Sequence, residues 1–374
     1  MHDIKRAGEI IAGEMLWSDE SAPKIREAFH IANSWRDSHA YPMRSVRYSL
    51  IWYMRKRDLH GLTAARLKRM QAIRRKLRRI SLNLNQLQDL GGCRAILPSI
   101  ADVQTLVGEL RANSRHEIWA EDDYISAPKP DGYRSHHLRF KFCGQGATKA
   151  HDGRRIEIQI RTRLQHSWAT AVEAVGMFRR EDLKGDRGSL EWLRLFQLMS
   201  AEFAAAERSP EGPGLPCHSD RYNEIRDLEK RLDAVSTLDN LSNAVQWTEI
   251  SLNPREKPTH FLIRYNNVTR QVLVEPYYVP TYAALSYDNA EAIDNKSGRD
   301  TTNIVLVEVD KIENLKAAYP NYFGDVQLFK DQLRQITKGK SAEEYTVRPQ
   351  ETVAVRPKEK ASLAWYRRGS TRWR

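Results

Sequence analysis

Two acids stand where a divalent cation could be held. Glu157 and Gln159 alternate in the run Ile156-Glu157-Ile158-Gln159-Ile160, so a strand there puts both on one face. Asp89 enters a Gly91-Gly92-Cys93-Arg94 turn ahead of a second apolar run. Carboxylates at strand edges of an α/β sheet suit Mg²⁺, which takes one or two carboxylates plus substrate phosphates. The loop from Asp123 to His137 carries Lys129, Arg134 and His137, which can meet phosphate. Tyr133, behind the turn-forming Pro130-Asp131-Gly132, can offer a ring face to a base. Arg66, Lys68, Arg69, Lys76 and Arg79 flank an apolar stripe of Leu67, Met70, Ile73, Leu77 and Ile80. Taken singly, each segment has a plainer reading: a solvated strand end, a surface turn, a basic helix face.

Those residues need elements to position them. The stripe predicts an amphipathic helix over 63–80 with a cationic outer face. Ahead of it, helices are expected at 4–15, 22–37 (ended by Tyr41-Pro42) and 46–59. Short strands at 93–97, 135–143 and 155–160 interleave with helices at 100–112, 163–178 and 189–207, and Asp152-Gly153 marks a hairpin turn. Strands among helices predict an α/β domain over 1–208, with the strand order left open. Residues 209–220 hold three prolines and two glycines and read as a linker. A helix at 222–243, strands near 247–252, 259–265, 271–278 and 304–309, and helices at 283–295, 311–319 and 325–337 predict a smaller α+β domain over 221–337. A basic tail, 338–374, follows.

The 374 residues carry a net charge of +12. Between Arg44 and Arg79 stand thirteen basic residues and the single acid Asp58, a surplus equal to that of the whole chain. Such concentration points to a polyanionic partner, nucleotide phosphate or RNA. No run of about 18 apolar residues is present, which excludes a spanning helix. The absence of a signal-peptide pattern and three widely spaced cysteines (Cys93, Cys143, Cys217) lead us to expect a cytoplasmic protein with neither a disulfide framework nor a cysteine zinc cage.

Four ordered motifs over about 110 residues resemble the synthetase domain of the RelA/SpoT alarmone family. The basic segment matches R-x-K-x-x-x-S-I-x-x-K-hydrophobic-x-R at Arg66, Lys68, Ile73, Lys76, Leu77 and Arg79, with Ala72 in place of Ser. D-x-x-G-x-R is matched by Asp89, Gly92 and Arg94. D-Y-I-x-x-P-K-x-x-G-Y-x-S-x-H is matched from Asp123 to His137, and E-x-Q-I-R-T from Glu157 to Thr162, followed by His166 and Trp168-Ala169. The family's W-A-E-x-E-H ending reads Trp168-Ala169-Thr170-Ala171-Val172-Glu173, a form more like small or toxic synthetases. The spaced His/Asp ligands of the family's hydrolase domain are not found.

The resemblance implies a nucleotidyltransferase-like mixed sheet flanked by helices, with a helical N-terminal region, that transfers pyrophosphate from ATP to a ribose 3′-hydroxyl. By position, Arg66, Lys68, Lys76, Arg79 and Arg94 would bind ATP, and Asp89 and Glu157 would hold Mg²⁺. Glu157 or Gln159 would activate or orient the hydroxyl. Tyr133, Lys129, Arg134 and His137 would bind the acceptor. The layout is most similar to the fused toxin–antitoxin, CapRel-type branch. There the acceptor would be the 3′ end of tRNA, and the C-terminal domain would restrain the enzyme until a phage protein such as capsid displaces it. Tyr319 and Tyr322 match that branch's inhibitory Y-x-x-Y. Arg44, Arg47, Arg55, Lys56 and Arg57 match no family motif and are the surplus expected to favour tRNA. Alternatives are a (p)ppGpp synthetase acting on GDP or GTP, and a non-catalytic RNA- or protein-binding module.

Overall fold

The computed structural model describes residues 1–13, 21–179, 183, 189–244, 246–249, 258–266, 268–269, 271–297, 302–308, 312–320 and 326–343. Helices α1 (His2–Ala12), α2 (Ala22–Asp37) and α3 (Ala40–Lys56) precede strand β1 (Leu62–Leu67) and helix α4 (Met70–Arg79). Then come β2 (Gly91–Leu97), α5 (Ile100–Asn113), β3 (Glu117–Asp123), β4 (His136–Lys141), β5 (Arg155–Thr162), α6 (Arg163–Arg179) and α7 (Leu190–Ala206). α8 (His218–Leu232) begins within the 209–220 segment expected as a linker, and α9 (Ala234–Ala244), β6 (Gln246–Glu249), β7 (His260–Asn266) and β8 (Gln271–Tyr277) follow. The last described elements are α10 (Pro280–Ser297), β9 (Thr302–Glu308), α11 (Ile312–Ala318) and α12 (Gln327–Thr337).

These strands join one mixed sheet in the order β3-β4-β5-β2-β1-β9-β7-β8-β6. β2 and β5 are parallel neighbours, as are β6 and β8. The α/β layering with a helical N-terminal region agrees with the sequence expectation. The sheet does not end at 209–220. β9 meets β1 through the pair Ala65–Glu308, so strands from both sides of that segment share it.

Alternation sorts the two faces. Cys93, Ala95 and Leu97, with Leu138, Phe140, Ile156, Ile158 and Ile160, pack against Val46 and Leu50 of α3 and Val103 and Leu106 of α5. Arg94, His137, Glu157, Gln159 and Arg161 therefore project from the other face. α10 lies on the α3 side, with Tyr287 and Ala290 against Leu262 and Ile304. α11 lies on the opposite side, where Leu315, Ala318 and Tyr319 meet Ala64, Ile96, Phe261 and Val305. A further core joins α6, α7, α8, α9 and α12 around Trp192, Phe196, Phe203 and Phe329.

The structure corrects several sequence expectations. Residues 63–80 are a strand followed by a helix. Ala64 and Ala65 are buried within β1, paired to Arg94 and Cys93. Only Met70, Ile73 and Leu77 form the buried helical stripe. Two-sided strand pairing overrides local helical spacing here, since Ala and Leu fit either state. Tyr41-Pro42 lies inside the first turn of α3 rather than between helices, a place where Pro gives up no helical hydrogen bond. The helix expected at 222–243 breaks at Asp233, whose φ of 44° is left-handed. β3 was not foreseen. Tyr322, residues 250–252 and most of the basic tail (344–374) lie outside the described residues.

Candidate active site

The strand-to-helix switch at residues 67–70 builds the first half of the site. The Lys68 N–H donates to the Leu90 carbonyl at 2.8 Å, extending the β1–β2 pairing, and extended backbone at Arg69 starts α4. Lys68 Nζ from the turn and Lys76 Nζ from α4 then converge on Asp89 Oδ2 at 2.7 and 2.8 Å. Burial works to raise the Asp89 carboxyl, yet the two ammonium groups outweigh it and hold the group below its ordinary range. Asp89 Oδ1 is buried with no hydrogen-bond partner. Such an open carboxylate oxygen fits Mg²⁺ shared with substrate phosphates. No cluster of three or more metal-ligating side chains occurs among the described residues. Arg79 is exposed in the last turn of α4.

The second half comes from β4 and β5, whose register sets His137 opposite Gln159. His137 Nδ1 lies 3.2 Å from Glu157 Oε1, and Gln159 Nε2 donates to Glu157 Oε2 at 3.0 Å. Burial pushes the Glu157 carboxyl up, while its bond to His137 and that ring's charge prevail and leave it lowered. Asp89 opposes this as a neighbouring like charge, which joins the two halves electrostatically. His137 Nε2 lies 2.9 Å from the Tyr133 hydroxyl. Tyr133 is presented by a tight turn: its N–H donates to Asp131 Oδ1, and Gly132 has φ +91°. A Cβ on Gly132 would come within 2.9 Å of Ser200 Cβ, so this position needs glycine.

The acceptor residues expected from sequence divide in two. Lys129 Nζ lies over the rings of Tyr124 and Tyr133, at 4.4 and 5.3 Å. Tyr124, which sequence reasoning gave no role, also packs edge-on against His137. Arg134 turns the other way. It is buried against α7, donating to Ser200 Oγ and the Ile125 and Glu211 carbonyls. Burial lowers its guanidinium to about 10.

Arg66 and Arg94 stand on adjacent strands, and both guanidinium groups lie over the Tyr319 ring, at 5.4 and 5.1 Å. Arg94 Nη1 also donates to the Ala318 carbonyl at 2.6 Å. His166 Nε2 lies 3.1 Å from the Ala317 carbonyl. The end of α11 thus fills the space in front of the two arginines. Nothing local in the sequence announced the contacts of Ala317 and Ala318, because main-chain carbonyls carry no residue signature.

The basic residues of α3 and its C-terminal end occupy the far face. Arg44 and Arg47 of α3 pair with the buried Glu308 of β9, at 3.2 and 3.6 Å. Lys56 and Arg57, at the other end of α3, pair with Glu109 of α5. Arg55 is exposed there, beside the exposed Trp52.

Residues 65–181 match the family model described as the region found in RelA / SpoT proteins. Among curated relatives, a GTP pyrophosphokinase of Haemophilus influenzae is 32% identical over 133 residues, 34% of this chain and 17% of that protein. GTP pyrophosphokinase YwaC of Bacillus subtilis is 32% identical over 114 residues, 29% of this chain and 54% of the relative. The match thus spans about half of the shorter relatives and less than a fifth of the longer ones. Small alarmone synthetase 1 of Bacillus subtilis, in a crystal structure with its product pppGpp, aligns with a TM-score of 0.39 at 23% identity, covering 45% of this chain and 88% of that one. Over residues 65–181, then, the chain is similar to the region found in RelA / SpoT proteins.

Proposed function

We propose that the chain is an ATP-dependent pyrophosphokinase acting on a ribose 3′-hydroxyl, held latent by its own C-terminal unit. The observation that carries this reading is the Tyr319 ring lying under both Arg66 and Arg94. A flat ring against two guanidinium groups is the contact an adenine base would make. With α11 withdrawn, the Arg94 and His166 donors are free to face ATP. Lys68 and Lys76 neutralise triphosphate charge, and Mg²⁺, when bound at Asp89 and Glu157, adds charge neutralisation on the same phosphates. Tyr133, with Lys129 at its ring, takes the acceptor base. Glu157, kept ionised by His137, accepts the hydroxyl proton, and Gln159 fixes the carboxylate's orientation. Tyr322 belongs to the same proposed latch.

For the acceptor we infer the 3′ end of tRNA, supported by the exposed cations Arg55, Lys56 and Arg57 beside Trp52, of which the last two also pair with Glu109, and by the basic residues of 344–374. Release by a phage protein such as capsid follows from the resemblance to the fused toxin–antitoxin branch. GDP or GTP is the second reading. It is favoured by the pairing of Arg44 and Arg47 with Glu308, which takes both from the surplus charge, and by the names of the relatives. Incubation with ATP labelled in its terminal phosphates, together with tRNA and GDP, separates them. Label on the tRNA 3′ end is expected; label on GDP and never on tRNA selects the second reading. Label on neither, from the parent chain and from Tyr319→Ala, contradicts the activity.

A further inference from the structure

We infer that Arg161 is a catalytic residue that binds the pyrophosphoryl group in flight between the two substrates. This rests on the pyrophosphokinase reading and adds to it a residue with no role so far. Arg161 sits on the catalytic face of β5, in register with Ile96 of β2, two residues beyond the Arg94–Gln159 pair. Its side chain is 3% exposed. Nη2 donates to Gln159 Oε1 at 2.6 Å and to the Tyr133 hydroxyl at 3.3 Å, both on the acceptor side. Its charge also acts on Arg94 and His166, the groups that face α11 on the ATP side. Arg161 therefore acts on both halves of the site, as Arg94 does through Tyr133.

One feature separates it from Arg36 and Arg221, the buried arginines that carry ion pairs. Its hydrogen-bond partners are neutral, an amide and a phenol, whereas the structural Arg36 and Arg221 of this chain are paired with carboxylates. Its Nε is buried with no hydrogen-bond partner, a property it shares with Arg36. A buried guanidinium without an acid opposite is costly, so the arrangement favours a visiting anion. The reaction supplies one. The acceptor hydroxyl oxygen bonds to the β-phosphorus of ATP while the bond from that phosphorus to the α–β bridging oxygen breaks. The bridging oxygen leaves with AMP and keeps the electron pair, and the hydroxyl proton passes to Glu157. Negative charge spreads over the β-phosphoryl oxygens midway, between Arg94 and Tyr133, where the Arg161 fork can take two of them.

The test uses the full chain carrying Tyr319→Ala, with and without Arg161→Gln. Loss of a transition-state donor is expected to lower kcat about 10²–10³-fold. The KM values for ATP and acceptor should stay within roughly 3-fold, the split expected when an interaction is made mainly in the transition state. Added guanidinium ion should restore part of the rate to Arg161→Ala, which a purely structural role would not allow. Should Arg161→Gln fail to fold, Arg161→Lys carries the test: charge kept and fork lost, it is expected to lose at least about 10-fold in kcat. An unchanged kcat, or a loss confined to one KM, overturns the assignment. No transfer by the Tyr319→Ala chain itself overturns the pyrophosphokinase reading instead.

Discussion

At Glu157, burial and a neighbouring carboxylate oppose ionisation while His137 and Gln159 favour it, and the charged form prevails. A base with that balance is ready at neutral pH, so Glu157→Gln is expected to cut transfer by about 10²–10⁴-fold, the range for removing a general base. Steady-state transfer assays beside an ATP-binding titration check this: the rate should collapse while ATP affinity persists. Residues of this kind were legible in the sequence because their spacing is itself the signal. Glu157 and Gln159 share a face by alternation, and Asp89, Lys68 and Lys76 meet within 21 residues. Arg134 and Arg47 were not legible. Their partners, Ser200 and Glu308, stand 66 and 261 positions away, and a basic side chain in sequence looks the same whether it faces phosphate or a buried acid.

Among the elements, β1 and α4 show where local pattern fails. Leu67, Met70 and Ile73 keep helical spacing, yet Leu67 belongs to a strand held by β2 on one side and β9 on the other. The information that decides this lies in strands remote in sequence, which is why the 63–80 segment misled and the 100–113 helix did not. α10 acts on the same region from outside. Its Glu291 accepts from the Met70 N–H at 3.1 Å, capping α4, and also pairs with the fully buried Arg36 at 2.8 Å. Asp288 adds a further contact to Arg36 at 3.1 Å. Removing one partner of a buried ion pair strands the other, so Arg36→Ala is expected to cost about 3–5 kcal/mol in denaturant unfolding. A loss under about 1 kcal/mol, the level of a surface pair, would show that α10 is not held this way.

Across the whole molecule, buried histidines set the response to acid. Burial lowers His39 from 6.5 to about 3, and His116 and His260 to about 4. Between those values and about 6.5 the unfolded chain binds protons that the folded chain refuses, so these three histidines lower stability as pH drops through that window, against the opposing Asp37, whose buried carboxyl is pushed up to about 7. The lowered carboxylates Asp89, Glu157 and Glu308 contribute in the same direction only below their ordinary range, nearer pH 4. Denaturant midpoints at pH 7 and pH 5 should differ, the latter being lower; equal midpoints would contradict this. The net charge of +12 also reads differently in three dimensions. Part of it, Lys68 and Lys76, serves the Asp89 carboxylate, and part, Arg44 and Arg47, joins α3 to β9. If Arg55, Lys56 and Arg57 meet tRNA, replacing all three with Ala should weaken tRNA labelling and reduce its log–log salt slope by about 3. An unchanged slope removes that surface from the acceptor path. The central claim is a complete pyrophosphokinase site obstructed by Tyr319, and label transfer from ATP by the parent, Tyr319→Ala, and Tyr319→Ala with Glu157→Gln tests it most directly. Transfer well above the parent in the single variant, abolished in the double, is the expected result; a Tyr319→Ala chain that folds and remains as silent as the parent would contradict it.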